Sequence, residues 1–154
     1  NAASLEKLRE AGCDRLIDLS LEDEALAEAF GAAAVSCPPD VIVDFLWGRP
    51  AGALIASLVP GDVKFPERAI RYLQLGEAAG ARISLPAAAL RTSGLVVQGA
   101  GPVSLQAVAR EMPGLWEALR SGKYAADIER VRLSGLAGAW QRATPGGTRL
   151  VVVP

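Results

Sequence analysis

Few residues in this chain are able to do chemistry, and their types narrow the options. There is no histidine among the 154 residues. That removes the commonest general acid or base, the Ser-His and Cys-His nucleophile pairs, and the usual zinc ligand. Cys13 and Cys37 are the only cysteines. A four-cysteine metal site and a disulfide-dense fold are both excluded, a single Cys13–Cys37 bridge stays open, and no metal ligand set can be assigned. What remains are carboxylates, aromatics and glycines where apolar runs end: Asp18, Asp44, Trp47-Gly48, Leu75-Gly76-Glu77 and Gly99-Ala100-Gly101. A carboxylate in such a place serves as a catalytic group, binds a ribose, or caps the next turn. Trp47 and Trp140 can stack on a ring or pack in a core. Glycine lets the main chain approach a ligand closely, and tight turns use it with or without a ligand. Gly99-Ala100-Gly101-Pro102 is not a phosphate loop, because it continues neither as GxGxxG nor to Gly-Lys-Ser/Thr. Arg142 and Arg149 flank the turn ATPGGT, where they can meet a phosphate or solvent.

These residues need elements to hold them, and hydrophobic spacing supplies a candidate set. Residues 1–12 read as an amphipathic helix with Leu5 and Leu8 on one face, stopping at Gly12. CDRLIDL (13–19) reads as a short strand. LEDEALAEAFGAAA (21–34) reads as a helix with acids in its first turn and Gly31 weakening its end. After Cys37-Pro38-Pro39-Asp40, VIVDFLW (41–47) is the clearest strand, and its unbroken apolar run suits burial on both faces of a parallel sheet. AGALIASLV (51–59) reads as a helix, RAIRYLQLG (68–76) as a strand, PAAALRTS (86–93) as a short helical piece and GLVVQGAG (94–101) as a strand. Val103–Ser121 is helical with Met112-Pro113 as an interruption. DIERVRL (127–133) is extended, GLAGAWQRA (135–143) is a helix and TRLVVVP (148–154) is a last strand. Alternating strands and helices predict an α/β fold with a mostly parallel sheet. The expected division is 1–126 for the sheet domain and 127–154 for a strand–helix–strand tail.

Composition sets the outer limits. The chain is 51% hydrophobic and 21% charged, which is the profile of a globular domain. A chain of this length buries about 68–70% of its surface, enough for one full core. Sixteen basic and 17 acidic residues leave a net charge of −1, so there is no bulk attraction to nucleic acid. No apolar stretch approaches about 18 uncharged residues, and no signal-peptide pattern opens the chain. The expectation is a soluble, cytoplasmic protein without membrane or nucleic-acid partners.

At the strand ends a family resemblance emerges. DFLWG, RYLQLGEAAG, LPAAALRTSGLVVQGAGPVS and AWQRATPGGTRLVVVP, in that order, resemble the medium-chain dehydrogenase/reductase superfamily. The nearest likeness is to its zinc-independent, quinone-oxidoreductase-like members. SLEKLREAGCDRLIDL is similar to the Leu-x-x-Leu-x-x-x-Gly-Ala-Asp passage after the family's second strand, with Cys13 in place of alanine. The resemblance implies a partial doubly wound, Rossmann-like parallel sheet with flanking helices. It supplies strands 3, 4, 5 and 6 of the order 3-2-1-4-5-6 and neither of the two between strands 3 and 4. Unpaired backbone beside such a gap is costly. Three explanations stay open: a fragment of a longer reductase, a second copy or another chain filling the gap, or residues beyond those in this sequence.

The resemblance also implies roles. Leu46, Trp47 and Gly48 would lie along the cofactor's ribose. Leu75, Gly76, Glu77, Gly99, Ala100 and Gly101 would lie on the nicotinamide side, and Arg142 would reach the adenosine phosphate. The implied cofactor is NADPH, with NADH open. The implied substrate is a quinone or activated enone, and the implied assembly is a homodimer through the sixth-strand edge. No catalytic residue is assignable, since hydride chemistry belongs to the cofactor and needs no histidine. A second reading is a non-catalytic dimerisation or interaction module. A methyltransferase-like reading is disfavoured because no strand followed by a glycine loop opens the chain. The fold reading requires residues 41–45, 71–75 and 95–98 to be adjacent parallel strands.

Overall fold

The structure, a computed structural model, describes residues 2–59, 68–100, 104–124, 127–142 and 148–154, with side chains from residue 5 onward. The described residues form two compact units, Asn1–Gly101 and Pro102–Pro154. The sequence division after residue 126 differs from this in placing the long helix after Ser104 with the first unit.

In the first unit the strands β1 (Val41–Asp44), β2 (Ile70–Gln74) and β3 (Leu95–Gly99) form one sheet in the order β1-β2-β3, all parallel. The adjacency required by the sequence reading is therefore present. Ile42, Tyr72 and Val97 stand in register across the sheet, and so do Asp44, Gln74 and Gly99 one step further on. Because side chains alternate faces, both rows point to the same side. That side carries the core. Helix α3 (Gly48–Ser57) brings Ala51 and Ile55, helix α4 (Ala87–Thr92) brings Ala89, and these pack on Tyr72 and Leu95. Helix α2 (Asp23–Ser36) packs against α3 and buries Leu26 completely.

The opposite face corrects one expectation. β1 is not buried on both sides, since Val41 is 47% and Val43 53% exposed. The helices that pack on Tyr72 and Leu95 cover the other face.

Several boundaries moved for identifiable reasons. Helix α1 (Ala2–Glu10) stops as expected where Gly12 takes φ +88°. Residues 13–19 do not form the expected strand. No neighbouring strand lies beside them among the described residues, and Arg15 is tied to α2 instead, donating to the Ala32 carbonyl and to the Ser36 hydroxyl. Asp18 is a turn residue there. The Ser20 main-chain N–H and hydroxyl donate to Asp18 Oδ1 at 2.9 and 2.8 Å, and the main-chain bond first of all holds the carboxyl below its ordinary range. Helix α2 runs through Gly31 and ends at Cys37. Helix α3 begins at Gly48 rather than at residue 51, with Pro50 in the first turn, where a missing N–H costs nothing. Cys13 and Cys37 are both free thiols, so the possible bridge is not made.

In the second unit helix α5 (Leu105–Arg120) is capped by Ser104, whose side chain accepts from the Ala107 N–H at 3.1 Å. It continues through Pro113, against the expected interruption. Strong helix formers on both sides (Ala109, Arg110, Glu111 and Met112 before it, Leu115, Glu117 and Ala118 after) carry the helix past one lost bond. Strands β4 (Ile128–Arg132) and β5 (Arg149–Val153) pair in parallel. A parallel pair needs a long crossover. It includes a 3₁₀ turn, Leu133–Gly135, and helix α6 (Leu136–Trp140), which buries Ala139. Trp140 is exposed and packs in no core.

Ile55 is fully buried between α3 and the sheet. Ile55→Ala is expected to destabilise the first unit by about 2–5 kcal/mol, read as a lowered urea midpoint.

Candidate functional site

Three parallel strands bring their carboxyl ends to one edge, where ligands of open α/β sheets bind. The turn after β1 is set by Asp44. Its Oδ1 accepts from the Leu46 N–H at 2.8 Å, and both its oxygens lie 3.1 Å from the Trp47 N–H. These bonds pull residues 45–47 out of the strand, which is why β1 ends at Asp44 and not at Trp47. Asp44 is itself buried and receives the Tyr72 hydroxyl on Oδ2 at 2.6 Å. The Tyr72 ring meets the Trp47 ring edge-on, with centroids 6.2 Å apart. Burial, then the hydrogen bond to Asp44 and its negative charge, push the Tyr72 hydroxyl well above its ordinary range.

The turn after β2 lies against the turn after β1. The Leu75 N–H donates to the Asp44 carbonyl at 2.7 Å, and the Ala79 N–H donates to the Leu46 carbonyl at 2.7 Å. Gly76 passes so near that a Cβ there would stand 2.7 Å from the Phe45 carbonyl oxygen. At Gly48, with φ +58°, a Cβ would stand 2.5 Å from the Ala79 carbonyl oxygen. These two glycines are required by close approach, and Gly48 by its dihedral as well. The Gln74 side chain donates to the Gly76 carbonyl at 2.9 Å, and the Gln74 main-chain carbonyl accepts from the Ala100 N–H at 2.9 Å.

The turns after β1 and β2, with the end of β3, border an open cleft of about 350 Å³, lined by Trp47, Gln74, Glu77, Ala81, Val97 and Gly99. Of the ten residues singled out by sequence, Trp47, Glu77 and Gly99 line it. Leu75, Gly76 and Ala100 build its turns by main-chain contacts. Leu46 lines a smaller cavity of about 180 Å³ with Leu19 and Phe30. Gly48 lines another cavity, with Arg49 and Arg82. Gly101 falls outside the described residues. Arg142 belongs to the second unit, where it donates to Glu129. Gln74, Ala81 and Val97 line the cleft without having been singled out, and the two strand residues had a legible signal. Counting by twos along β2 and β3 from the core residues Tyr72 and Leu95 would have found both.

The cleft's chemistry is mixed: a flat aromatic, an amide, an open glycine and one carboxylate. No basic side chain is among its lining residues, so it suits an uncharged or cationic planar group and not a phosphate. Among the described residues no group of three His, Cys, Asp or Glu is placed to hold a metal ion. No helix there is long and apolar enough to cross a membrane.

No family model matches the sequence. No curated protein matches it either. Solved structures do. A Sinorhizobium meliloti 1021 protein provisionally named an alcohol dehydrogenase superposes with a TM-score of 0.65 at 22% identity, over 97% of this chain and 39% of its own. AibC superposes at 0.68 and 17% identity, over 100% of this chain and 40% of its own. A Mesorhizobium loti protein provisionally named an NADPH:quinone reductase superposes at 0.63 and 14% identity, over 100% and 44%. These likenesses show the fold, a Rossmann-like α/β arrangement of parallel strands flanked by helices. The chain spans about two fifths of the length of these solved structures. Consecutive neighbours β1-β2-β3 match the run 4-5-6 of the doubly wound order.

Two outcomes follow from this geometry. Tyr72 stays protonated in the folded chain beyond the ordinary tyrosine value of 10.0. Its contribution to stability is therefore complete below about pH 10 and is lost as pH rises further. Thermal melts from pH 9 to 11 are expected to fall more steeply for the parent than for Tyr72→Phe. Gly48→Ala meets both a left-handed dihedral and the Ala79 carbonyl, and is expected to cost about 1–3 kcal/mol, measured by urea unfolding.

Proposed function

We propose that the chain is part of an oxidoreductase that uses a nicotinamide dinucleotide, and that the strand-end cleft receives the nicotinamide end. The observation that supports this most directly is the cleft's content. It offers an aromatic wall at Trp47, an amide at Gln74 and a carboxylate at Glu77, with no cation for a phosphate. A nicotinamide ring and its carboxamide are planar, polar at one end and free of negative charge. The main-chain groups at Leu75, Gly76 and Ala100 hold the cleft's rim in place through the bonds described above.

When bound, the nicotinamide supplies or accepts the hydride. This chain's residues orient the ring and exclude water from one side of it, and no histidine is needed for that. The phosphate end is a different matter. The sequence has no GxGxxG turn, so the donors that cradle a pyrophosphate at a helix N-terminus come from outside these 154 residues. An apolar groove of about 380 Å³, lined by Ile17, Phe30, Ile42 and Leu54 among others, runs beside β1. β1 itself ends the sheet among the described residues, on the side where the doubly wound order has two further strands. Reduction of a quinone or activated enone, with NADPH as donor, is the reading that the reductase-type likeness favours.

A second reading rests on β3. It ends the sheet, with no partner on its outer side among the described residues, and Val96 is exposed there. Such an edge supports association of two copies. The site of action for either reading is cytoplasmic.

The test is an amide-shift titration of the ¹⁵N-labelled chain with NADPH at millimolar concentration. Shifts are expected at Trp47, Glu77 and Gly99, with affinity weaker than about 10⁻⁴ M for want of a phosphate cradle. Gly99→Val should abolish them while leaving stability within about 0.5 kcal/mol, because a Cβ at Gly99 meets nothing within 4 Å. It stands on the Val97 face and so projects toward the cleft. Shifts that persist in Gly99→Val would remove the cleft from consideration.

A further inference from the structure

Among the described residues, Trp47 is the sole non-glycine with positive φ. Its dihedrals, φ 54° and ψ −154°, lie outside every comfortable region for an L-residue. Such a conformation costs about 1–3 kcal/mol and persists only where its surroundings over-determine it. The surroundings are identifiable. Asp44 holds the Trp47 N–H and, through Leu46, the residue before it. Trp47 pairs as an isolated bridge with Gly80. Gly80 in turn stands so near Gly48 that a Cβ on it would lie 3.2 Å from the Gly48 Cα.

Asp44 is held in turn. It is 8% exposed, and Tyr72, 0% exposed, donates to the oxygen that Leu46 does not use. A carboxylate capping a turn at the surface would need no such partner. The order of support therefore runs from the core outward: Tyr72 hydroxyl, Asp44 carboxylate, Trp47 main chain, cleft wall. Every polar atom in this relay has a partner, so rotating the carboxylate would break at least one bond in the buried part of the fold.

We infer that Asp44, locked by Tyr72, is a positioning residue that sets the strained Trp47 main chain and so preforms the wall against which a planar ligand ring packs. The ligand part of this inference rests on the reading of the cleft as the nicotinamide site. The positioning part rests on the hydrogen bonds alone. A preformed wall saves the ligand the free energy of ordering the turn.

The test uses the 154-residue chain with Trp116→Phe and Trp140→Phe, which leaves Trp47 as the single tryptophan. Asp44→Ala, Asp44→Asn and Tyr72→Phe are made in that background. Three readouts are taken: Trp47 emission, hydrogen exchange at the Trp47 amide, and NADPH affinity. Asp44→Ala is expected to red-shift the emission, to speed exchange at Trp47 by at least about tenfold and to weaken NADPH by about tenfold or more. Asp44→Asn keeps an acceptor for both N–H groups but takes the acceptor from the buried Tyr72 hydroxyl proton, so it should weaken binding and speed exchange less than Asp44→Ala does. Tyr72→Phe should fall between the two. Unchanged Trp47 exchange and emission in a folded Asp44→Ala chain would overturn the inference. Should that variant fail to fold, unchanged exchange in Tyr72→Phe overturns it equally. A parent chain that shows no NADPH shifts would instead overturn the proposed function, while the exchange data still decide the role of Asp44.

Discussion

A single carboxylate sits where the sheet ends and the cleft begins. Asp44 is buried, and it accepts from the Tyr72 hydroxyl and from the Leu46 and Trp47 main chain. An isolated buried carboxylate is expensive, and these donors are what make it tolerable. In exchange it converts the last residue of a strand into the anchor of a turn. The start of α3, the left-handed Trp47 and the close passage of Gly48 beneath the 76–80 loop all depend on that turn. The constraint is geometric as well as energetic, because the carboxylate has to be reached from the strand's own next residues and from the neighbouring strand together.

The sheet explains why the anchor works. In-register pairing places Asp44, Gln74 and Gly99 in one row on the covered face, just beyond the row of Ile42, Tyr72 and Val97. Tyr72 is one step back on the adjacent strand, at the distance a tyrosine hydroxyl spans. The core below, built from Ala51, Ile55, Ala89 and Leu95, packs against Tyr72 and fixes it. Packing thus supports the polar relay, and the relay supports the cleft. The opposite face of the sheet has none of this cover, and Val41, Val43 and Val96 stay exposed there.

The second unit obeys the same rules on a smaller scale. β4 and β5 pair in parallel through a helical crossover, and α6 buries little more than Ala139. Arg142, singled out in the sequence as a phosphate contact, has its guanidinium engaged by Glu129 within this unit. The long helix α5 has no buried residue. Its apolar positions at Val108, Met112, Leu115 and Leu119 repeat at helical spacing, which made the element easy to place and its Pro113 easy to over-read as a break.

What the sequence determined by itself is the local part. The β-branched run at 41–43 and the short stretches rich in β-branched, aromatic and leucine residues at 70–73 and 95–97 dictate strands, and Gly12 stops a helix. The absence of histidine and of a glycine-rich phosphate turn bounds the chemistry. Those features are legible because they depend on residue type and spacing along one stretch of chain. The tertiary structure decided the rest. Whether 13–19 is a strand depends on a neighbour to pair with, and none lies beside it among the described residues. Whether Asp44 is a cap, a ribose ligand or an anchor depends on Tyr72, 28 positions away in the chain. Gln74 and Val97 join the cleft only because two parallel registers carry them there. Side-chain contacts between strands are set by register, and register is a property of the folded sheet that no single segment contains.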